Sequence, residues 1–169
     1  MKATVYWIPG PWPGRLGIVP RPRGGDWLKD EIKAWRTAGI DVAVSALTAQ
    51  EISEFALTQA ETQARDLGVL YLSFPIADRQ APVSLPATKQ LVQRLESFLI
   101  AAKNVAVHCR QGIGRSSLLA ACTLIASGIS AEDALRDIEQ SRGCPVPETQ
   151  AQREWVKRFA KDVLAASKN

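Results

Sequence analysis

The segment of this sequence with the clearest chemical potential spans residues 107–117, VHCRQGIGRSS, between a short apolar run and an apolar helical stretch. Two glycines let the backbone curl with its N–H groups pointing inward, which makes a concavity that binds anions. The helix that follows adds the positive end of its dipole. Arg115 offers a planar fork of donors to two phosphate oxygens, and Cys109 lies where the same N–H groups stabilise a thiolate. The pattern therefore predicts a phosphate-binding loop with a cysteine nucleophile.

The order His-Cys, five residues, Arg and Ser resembles the signature loop of the protein tyrosine and dual-specificity phosphatases. Here it reads HCRQGIGRSS, and it is similar to the small kinase-associated members. The resemblance implies that Cys109 is the nucleophile, Arg115 binds phosphate in the transition state, Ser116 assists the departing thiolate and His108 holds the loop. The phosphate-binding residues implied by it are Arg110, Gln111, Gly112, Ile113, Gly114 and Arg115.

What the resemblance implies for function is hydrolysis of phosphate monoesters on proteins through a cysteinyl-phosphate intermediate. The chain has no Asn-Arg-Tyr-type tyrosine-recognition loop near its start, which predicts a shallow pocket open to phosphoserine and phosphothreonine as well as phosphotyrosine. Arg110 adds charge beside the nucleophile and favours phosphoinositides or RNA 5′ ends as alternatives, although Ile113 stands where lipid enzymes carry a second basic residue. A non-catalytic phospho-binding pseudophosphatase, sulfur transfer and arsenate reduction are further alternatives.

An acid is also needed to protonate the leaving oxygen, because an alkoxide or phenoxide departs poorly. Asp78 is the best candidate, since it lies in a Pro-bounded loop, residues 74–82, that follows a strand and can reach the carboxyl edge of a sheet. The resembling family places its acid in such a loop. The alternative is an aspartate that caps its own turn.

Gln152 has two interpretations. Residues 143–156, GCPVPETQAQREWV, resemble the family segment whose glutamine orients the attacking water in the second step. Thr149 and Gln152 also have the spacing of a helix capping box, Ser/Thr-x-x-Glu/Gln. The spacing alone does not separate a catalytic role from a capping role.

The composition favours one phosphatase domain over residues 1–169, with 46% hydrophobic residues to build a core. The net charge of +4 suits an anionic substrate, and without a basic run no nucleic-acid partner is expected. No apolar stretch reaches the roughly 18 residues of a transmembrane helix, so no membrane insertion is expected. We expect a monomer.

Three cysteines are too few for a disulfide framework, which favours a reducing, cytoplasmic compartment. Cys122 is predicted to lie in the core and Cys144 in a turn. With one histidine and no Cys-x-x-Cys pair, the usual zinc sites cannot be assembled. No metal and no cofactor are therefore expected.

Periodicity predicts the elements that must position this loop. Strands are expected at 42–47, 69–74 and 105–107, and helices at 26–38, 49–67, 85–102, 118–126, 131–140 and 150–165. Asp26, Ser130 and Thr149 are the predicted N-caps. Alternating strands and helices indicate an α/β fold with a central, mostly parallel sheet flanked by helices and a helical C-terminal third, as in dual-specificity phosphatases.

Overall fold

A five-stranded sheet forms the centre of the computed structural model, which describes residues 1–168. Its strand order is β1-β2-β5-β3-β4, where β1 and β2 pair antiparallel and the other neighbours pair parallel. The prediction of a mostly parallel sheet is therefore confirmed. The strands are Tyr6–Ile8 (β1), Leu16–Ile18 (β2), Val42–Ser45 (β3), Leu70–Ser73 (β4) and Val105–His108 (β5).

Helices cover both faces of this sheet. They are Leu28–Thr37 (α1), Ala49–Glu54 (α2), Ala60–Asp66 (α3), Leu85–Ile100 (α4), Arg115–Ala126 (α5), Ala131–Arg142 (α6) and Gln150–Ser167 (α7). Side chains alternate between the two faces of a strand, so Val105 and Val107 enter the core beneath α4 to α7, while Ala106 enters the core beneath α1 and α3. Within residues 1–168 no helix combines the length and apolarity that a bilayer crossing needs.

Helix α5 is the centre of the larger core. All of its residues from Arg115 to Ile125 are buried, and it contacts α4, α6 and α7 as well as β5. A helix that is apolar on all sides is stable only inside a protein. The loop between β5 and α5, which carries the predicted phosphate site, is therefore fixed at both ends in rigid structure.

Two predicted elements differ from the structure in their bounds. The helix expected over 49–67 is divided into α2 and α3, because the chain turns at Ala56, whose φ of 55° is outside the helical region. The N-cap expected at Asp26 is wrong, since that residue lies inside a 3₁₀ turn, Gly25–Trp27, that precedes α1. The caps at Ser130 and Thr149 are confirmed by hydrogen bonds from the backbone two or three residues into each helix.

The helix expected from residue 118 begins at Arg115, because the polar residues 115–117 form its first turn and show no apolar periodicity. The other differences concern the sheet. The hairpin β1 and β2 was not expected from the Pro/Gly-rich opening, because each strand has only three residues and shows no readable alternation. The strand expected to be buried at 69–74 is β4, which lies at the sheet edge with Leu70 and Ser73 exposed. An edge strand has a partner on one side only, and sequence hydropathy does not report on that.

Candidate active site

The carboxyl ends of β3, β4 and β5 meet at one edge of the sheet, where ligands bind in open α/β folds. Cys109 follows β5, Asp78 lies in the loop after β4, and Glu51 lies in α2 directly after β3. Three chain segments distant in sequence therefore converge on one pocket. The pocket has a volume of about 190 Å³ and is lined by Asp78, Arg79, Cys109, Arg110, Gln111, Gly114, Arg115 and Glu148.

Cys109 lies at the floor of this pocket and is almost completely buried. The N–H of Gly112 donates to its Sγ at 3.3 Å, and the hydroxyl of Ser116 lies 3.3 Å from the same sulfur. Gly112 adopts a φ of 73°, a left-handed conformation that glycine tolerates and that turns its N–H toward the sulfur. Donors aimed at sulfur stabilise the thiolate, which is the nucleophilic form.

The guanidinium of Arg115 is held from behind by Glu51. Nη1 donates to Oε2 at 2.7 Å and Nη2 donates to Oε1 at 2.8 Å, while Nη1 also donates to the carbonyl of Ile76 at 2.8 Å. Burial acts to lower the pKa of Arg115, but hydrogen bonding to Glu51 and electrostatic attraction to Cys109 raise it above its ordinary value. Burial acts to raise the pKa of Glu51, but hydrogen bonds from Arg115 and from the Thr48 backbone lower it below its ordinary value. Both groups are therefore charged, and the arginine fork has one fixed direction.

Sequence reasoning missed Glu51. The available signal was the spacing of Thr48 and Glu51, which form a capping box at the start of α2. That spacing predicts a helix start, and it says nothing of an ion pair to a residue on another helix.

Asp78 extends over the pocket toward the same arginine. Its Oδ1 accepts from Nη2 of Arg115 at 3.1 Å, and its Oδ2 lies 3.8 Å from Nη1 of Arg110. The carboxylate is 43% exposed. The structure thus brings Asp78, Cys109, Arg115 and Ser116 together, as the sequence predicted.

Arg110 stands at the pocket mouth with its side chain 47% exposed. Its guanidinium lies 5.3 Å from the ring centroid of Phe55, and the guanidinium of Arg21 lies 3.7 Å from the same centroid. Cation–aromatic contacts of this length are attractive. The Phe55 ring therefore contacts two arginine cations beside the pocket.

The backbone of the phosphate loop is held from outside by Arg142, the last residue of α6. Its Nε donates to the carbonyl of Gly112 at 2.7 Å and its Nη2 to the carbonyl of Gln111 at 3.4 Å. Its guanidinium also lies 4.0 Å from the ring centroid of Tyr6 in β1. Carbonyls that are turned outward to Arg142 leave the N–H groups of the loop turned inward. Sequence analysis did not single out Arg142.

His108 lies behind the loop with no exposed surface. Its Nε2 is 3.3 Å from the hydroxyl of Tyr71. Burial, followed by the charges of Arg21 and Arg115, lowers the pKa of His108 to about 4, although a hydrogen bond with the Cys109 backbone acts to raise it. The ring is therefore neutral at pH 7.

The other predicted site residues lie outside the pocket lining. Gln152 is completely buried, with Oε1 accepting from the N–H of Thr149 at 3.1 Å and Nε2 donating to the carbonyl of Gln80 at 3.0 Å. Ile113 packs against the core. Cys122 is buried in the core, which raises its thiol pKa well above the ordinary value, and Cys144 is half-buried in a bend.

Among residues 1–168 no group of three or more His, Cys, Asp or Glu side chains is arranged to hold a metal ion. The polar side chains of the pocket are the thiol of Cys109, three arginines, the amide of Gln111 and the carboxyls of Asp78 and Glu148. They suit an oxyanion.

Comparisons with known proteins agree with this geometry. The family model described as polymorphic toxin system, DSP-PTPase phosphatase, matches residues 19–129. Human cyclin-dependent kinase inhibitor 3 is 28% identical over 141 residues, which cover 82% of this chain and 66% of that protein. An Arabidopsis thaliana phosphatidylinositol 3,4,5-trisphosphate 3-phosphatase and protein-tyrosine-phosphatase is 35% identical over 102 residues, which cover 56% of this chain and 24% of that protein. The chain thus spans less than two thirds of the length of either relative.

Solved structures match over almost the whole chain. Kinase associated phosphatase, with its catalytic cysteine substituted by serine, superposes with a TM-score of 0.81 at 21% identity, covering 98% of both chains. The active form of Tk-PTP superposes with a TM-score of 0.78 at 26% identity, covering 95% of this chain and 99% of that one. The fold is that of the dual-specificity and tyrosine phosphatases.

Proposed function

This chain belongs to the DSP-PTPase phosphatase family, and on that premise we propose that it hydrolyses phosphate monoesters on proteins, at phosphotyrosine and at phosphoserine or phosphothreonine, through a cysteinyl phosphate on Cys109. One observation carries the proposal. The sulfur of Cys109, the guanidinium of Arg115 and the carboxyl of Asp78 surround a single pocket. A nucleophile, an oxyanion holder and a proton donor are the three groups that the reaction needs.

In the first step the phosphate binds to the inward N–H groups of the loop and to the fork of Arg115. The thiolate of Cys109 attacks phosphorus, so that an S–P bond forms while the ester P–O bond breaks. Asp78 in its protonated form gives its proton to the leaving oxygen. Phosphate binding takes the place of Asp78 on Nη2 of Arg115, which frees the carboxyl of Asp78 to act on the leaving oxygen. Glu51 keeps the plane of the guanidinium fixed, so the arginine itself reorganises little as charge shifts.

In the second step water attacks phosphorus and gives its proton to the carboxylate of Asp78, and the S–P bond breaks to release phosphate. Ser116 supports the departing thiolate, since its hydroxyl lies 3.3 Å from the sulfur. Gln152 is the proposed residue for orienting the water. That role requires its amide to leave the carbonyl of Gln80, to which it donates.

The shape of the pocket supports a broad choice of protein substrates. A volume of about 190 Å³ is small, and an ion pair between Arg79 and Glu148 at 2.9 Å stands at its mouth. We propose that the site is shallow and so does not require the length of a tyrosine side chain, which allows serine and threonine esters to reach the sulfur too. Arg110, exposed at the mouth, favours phosphoinositides as the second candidate class.

We propose further that residues 1–169 act as one phosphatase domain, as a monomer and in the cytoplasm. The three cysteines support a reducing compartment, because all of them are free thiols.

The experiment compares Cys109→Ser with Cys122→Ala. Cys109→Ser is expected to abolish turnover while retaining binding of a phosphotyrosine peptide, because the loop donors and Arg115 remain. Cys122→Ala removes a buried thiol outside the pocket and is expected to keep wild-type turnover. The readouts are phosphate release and peptide binding by fluorescence anisotropy. Turnover by the purified Cys109→Ser protein would exclude a cysteinyl-phosphate mechanism.

The substrate class is decided by a panel at equal concentrations. Phosphotyrosine, phosphoserine and phosphothreonine peptides are compared with soluble phosphoinositides and a 5′-triphosphate RNA. We expect the peptides to be turned over with the highest kcat/KM. A higher kcat/KM for a phosphoinositide, lowered by Arg110→Ala, would favour the lipid class.

A further inference from the structure

The first turn of α7 contacts the loop that carries the acid. The hydroxyl of Thr149 donates to the carbonyl of Arg79 at 3.4 Å, and Nε2 of Gln152 donates to the carbonyl of Gln80 at 3.0 Å. These carbonyls belong to the two residues that directly follow Asp78. The helix start thus holds the acid loop at consecutive peptide groups.

These two side chains also form a reciprocal capping box. The N–H of Thr149 donates to Oε1 of Gln152 at 3.1 Å, and the N–H of Gln152 donates to Oγ1 of Thr149 at 3.2 Å. A capping box uses only the acceptors of its two side chains. The donors are left over, and each is used on the acid loop. Gln152 has no exposed surface, and an unpaired buried amide N–H is unfavourable, so its bond to Gln80 is kept unless another acceptor replaces that carbonyl.

Two further contacts lie next to this contact between α7 and the loop that carries Asp78. A Cβ on Gly114 in the phosphate loop would lie 3.0 Å from both amide atoms of Gln152, so the glycine allows that amide to approach the loop closely. On the solvent side Arg79 pairs with Glu148 at 2.9 Å. Arg79 has a φ of 62°, which is uncommon for a residue with a side chain and persists where surrounding contacts fix the backbone. The backbone directly after Asp78 is therefore fixed by α7.

We propose that Thr149 and Gln152 are positioning residues for Asp78, so that the capping box of α7 acts in the first chemical step by holding the acid over the leaving oxygen. This inference rests on the proposed function, in which Asp78 is the acid. Neither residue lines the pocket, and both act through the backbone of the acid loop. The water-orienting role of Gln152 belongs to the second step, which allows the two roles to be separated by kinetics.

The test uses two variants and two controls. Gln152→Glu keeps the Oε1 acceptor of the box and, with its carboxyl ionised at the assay pH, removes the donor to Gln80, whereas Thr149→Val removes the hydroxyl. Thr149→Ser keeps the hydroxyl and is the conservative control. Lys89→Ala breaks a pair with Asp162 that joins α4 to α7 away from the pocket, and it controls for a general loosening of α7. Thermal unfolding shows that each variant is folded.

The rate of cysteinyl-phosphate formation is measured by rapid quench on aryl phosphates of rising leaving-group pKa, with Asp78→Ala alongside. Misplacing a reacting group by a fraction of an ångström is costly, so each variant is expected to lose roughly tenfold with phosphotyrosine-like leaving groups. Activated nitrophenyl-type leaving groups depart without a proton and are expected to lose less than about twofold. Thr149→Ser and Lys89→Ala are expected to show the same dependence of rate on leaving-group pKa as wild type.

Three outcomes overturn the inference. The first is a result in which the rate of cysteinyl-phosphate formation falls with leaving-group pKa equally steeply in wild type, Gln152→Glu and Thr149→Val, but more steeply in Asp78→Ala. Asp78 would then be the acid, and positioning by α7 would be excluded. The second is an unchanged rate of cysteinyl-phosphate formation in Gln152→Glu together with a larger burst of released leaving group, which would assign Gln152 to the second step. The third is a result in which the rate of Asp78→Ala depends on leaving-group pKa as steeply as that of wild type. Asp78 would then not be the acid, so the proposed function would fail in this respect and not only the inference about its positioning.

Discussion

At the scale of single residues, the pair of Glu51 and Arg115 has a functional explanation. A buried ion pair contributes little to stability over apolar residues of the same volume, because desolvating two charges offsets their attraction. The pair does fix the plane of the guanidinium, since both of its nitrogens are held by the carboxylate at 2.7 and 2.8 Å. A bound phosphate therefore takes the place of Asp78 on Nη2 while Glu51 still fixes the guanidinium plane, and we expect this to benefit catalysis.

Glu51→Gln is therefore expected to lower kcat/KM by roughly 10²-fold, because an amide offers Arg115 a single acceptor and no charge. Removing one partner of a buried pair also destabilises the fold, by about 3–5 kcal/mol where the remaining charge stays unpaired. The matched control is Glu31→Gln, which breaks the ion pair that Glu31 on α1 makes with the exposed Arg23. Steady-state kinetics and urea unfolding measure the two effects. An unchanged kcat/KM would show that Arg115 is directed by other contacts.

The sequence predicted the residues that share a local pattern with the nucleophile. Cys109, Arg115 and Ser116 lie within one short stretch, the loop after β5 and the first turn of α5, and Asp78 lies in a loop whose prolines mark it. Glu51 is 64 residues from Arg115, and their contact exists only because the turn after β3 lies beside the loop after β5. Such a contact is a product of sheet order, which hydropathy does not encode.

At the scale of elements, α6 supports the proposed phosphate-binding loop through Arg142. Its side chain donates hydrogen bonds to two carbonyls of the phosphate loop and stacks on Tyr6, so it connects β1, α6 and the loop. A loop with its carbonyls held outside presents its N–H groups to the anion before the anion arrives. The loop is thus organised by two helices, α5 along its axis and α6 from the side.

Arg142→Ala is expected to raise the inhibition constants for phosphate and vanadate by about tenfold, which corresponds to a loss of about 1.4 kcal/mol of hydrogen bonding. Arg142→Lys is expected to recover part of this, because an ammonium reaches one carbonyl. Arg136→Ala is the control, since Arg136 lies on the same helix in an exposed pair with Asp133. Equal inhibition constants in the Arg142→Ala and wild-type proteins would show that the loop needs no lateral support.

The helices with strong periodicity and the apolar strands β3, β4 and β5 were predicted well, whereas the three-residue strands β1 and β2 were not predicted. Helices α4, α6 and α7 begin at the predicted residues or within one of them, because Ser84, Ser130 and Thr149 cap them. The division between α2 and α3 was missed, since it depends on a positive φ at Ala56. Alanine is a strong helix former, and only tertiary contacts hold it in that conformation.

At the scale of the whole molecule, the polar groups at the sheet edge are enclosed by apolar layers on both faces. Ser45, His108, Arg115, Ser116 and Gln152 are all buried beside the pocket. Buried polar groups are tolerated when they are paired, and charged forms that lack a partner are strongly disfavoured. The stability of the fold is therefore expected to depend on the protonation of these groups.

His108 makes that dependence measurable, because it is the one histidine of the sequence. Its pKa is about 4 in the folded protein against an ordinary value of 6.5, so the unfolded chain binds a proton more readily between these values. Stability therefore rises with pH across this window: it is complete above the ordinary pKa and falls as pH decreases toward the folded pKa. At about pH 5 the loss is roughly 2 kcal/mol, since each unit of difference corresponds to about 1.4 kcal/mol.

The measurement is the free energy of unfolding in urea at intervals from about pH 7.5 to pH 5, for wild type and for His108→Gln. The variant is expected to be less stable at pH 7.5 and to show a flatter profile, because glutamine cannot take up the proton. Glu51 does not confuse the comparison, since the pKa of its carboxyl is below its ordinary 4.5 and its contribution is lost only at more acid pH. Equal slopes for the two proteins would mean that the imidazole of His108 is reached by water or by a proton acceptor in the folded state, which its complete burial behind the phosphate loop argues against.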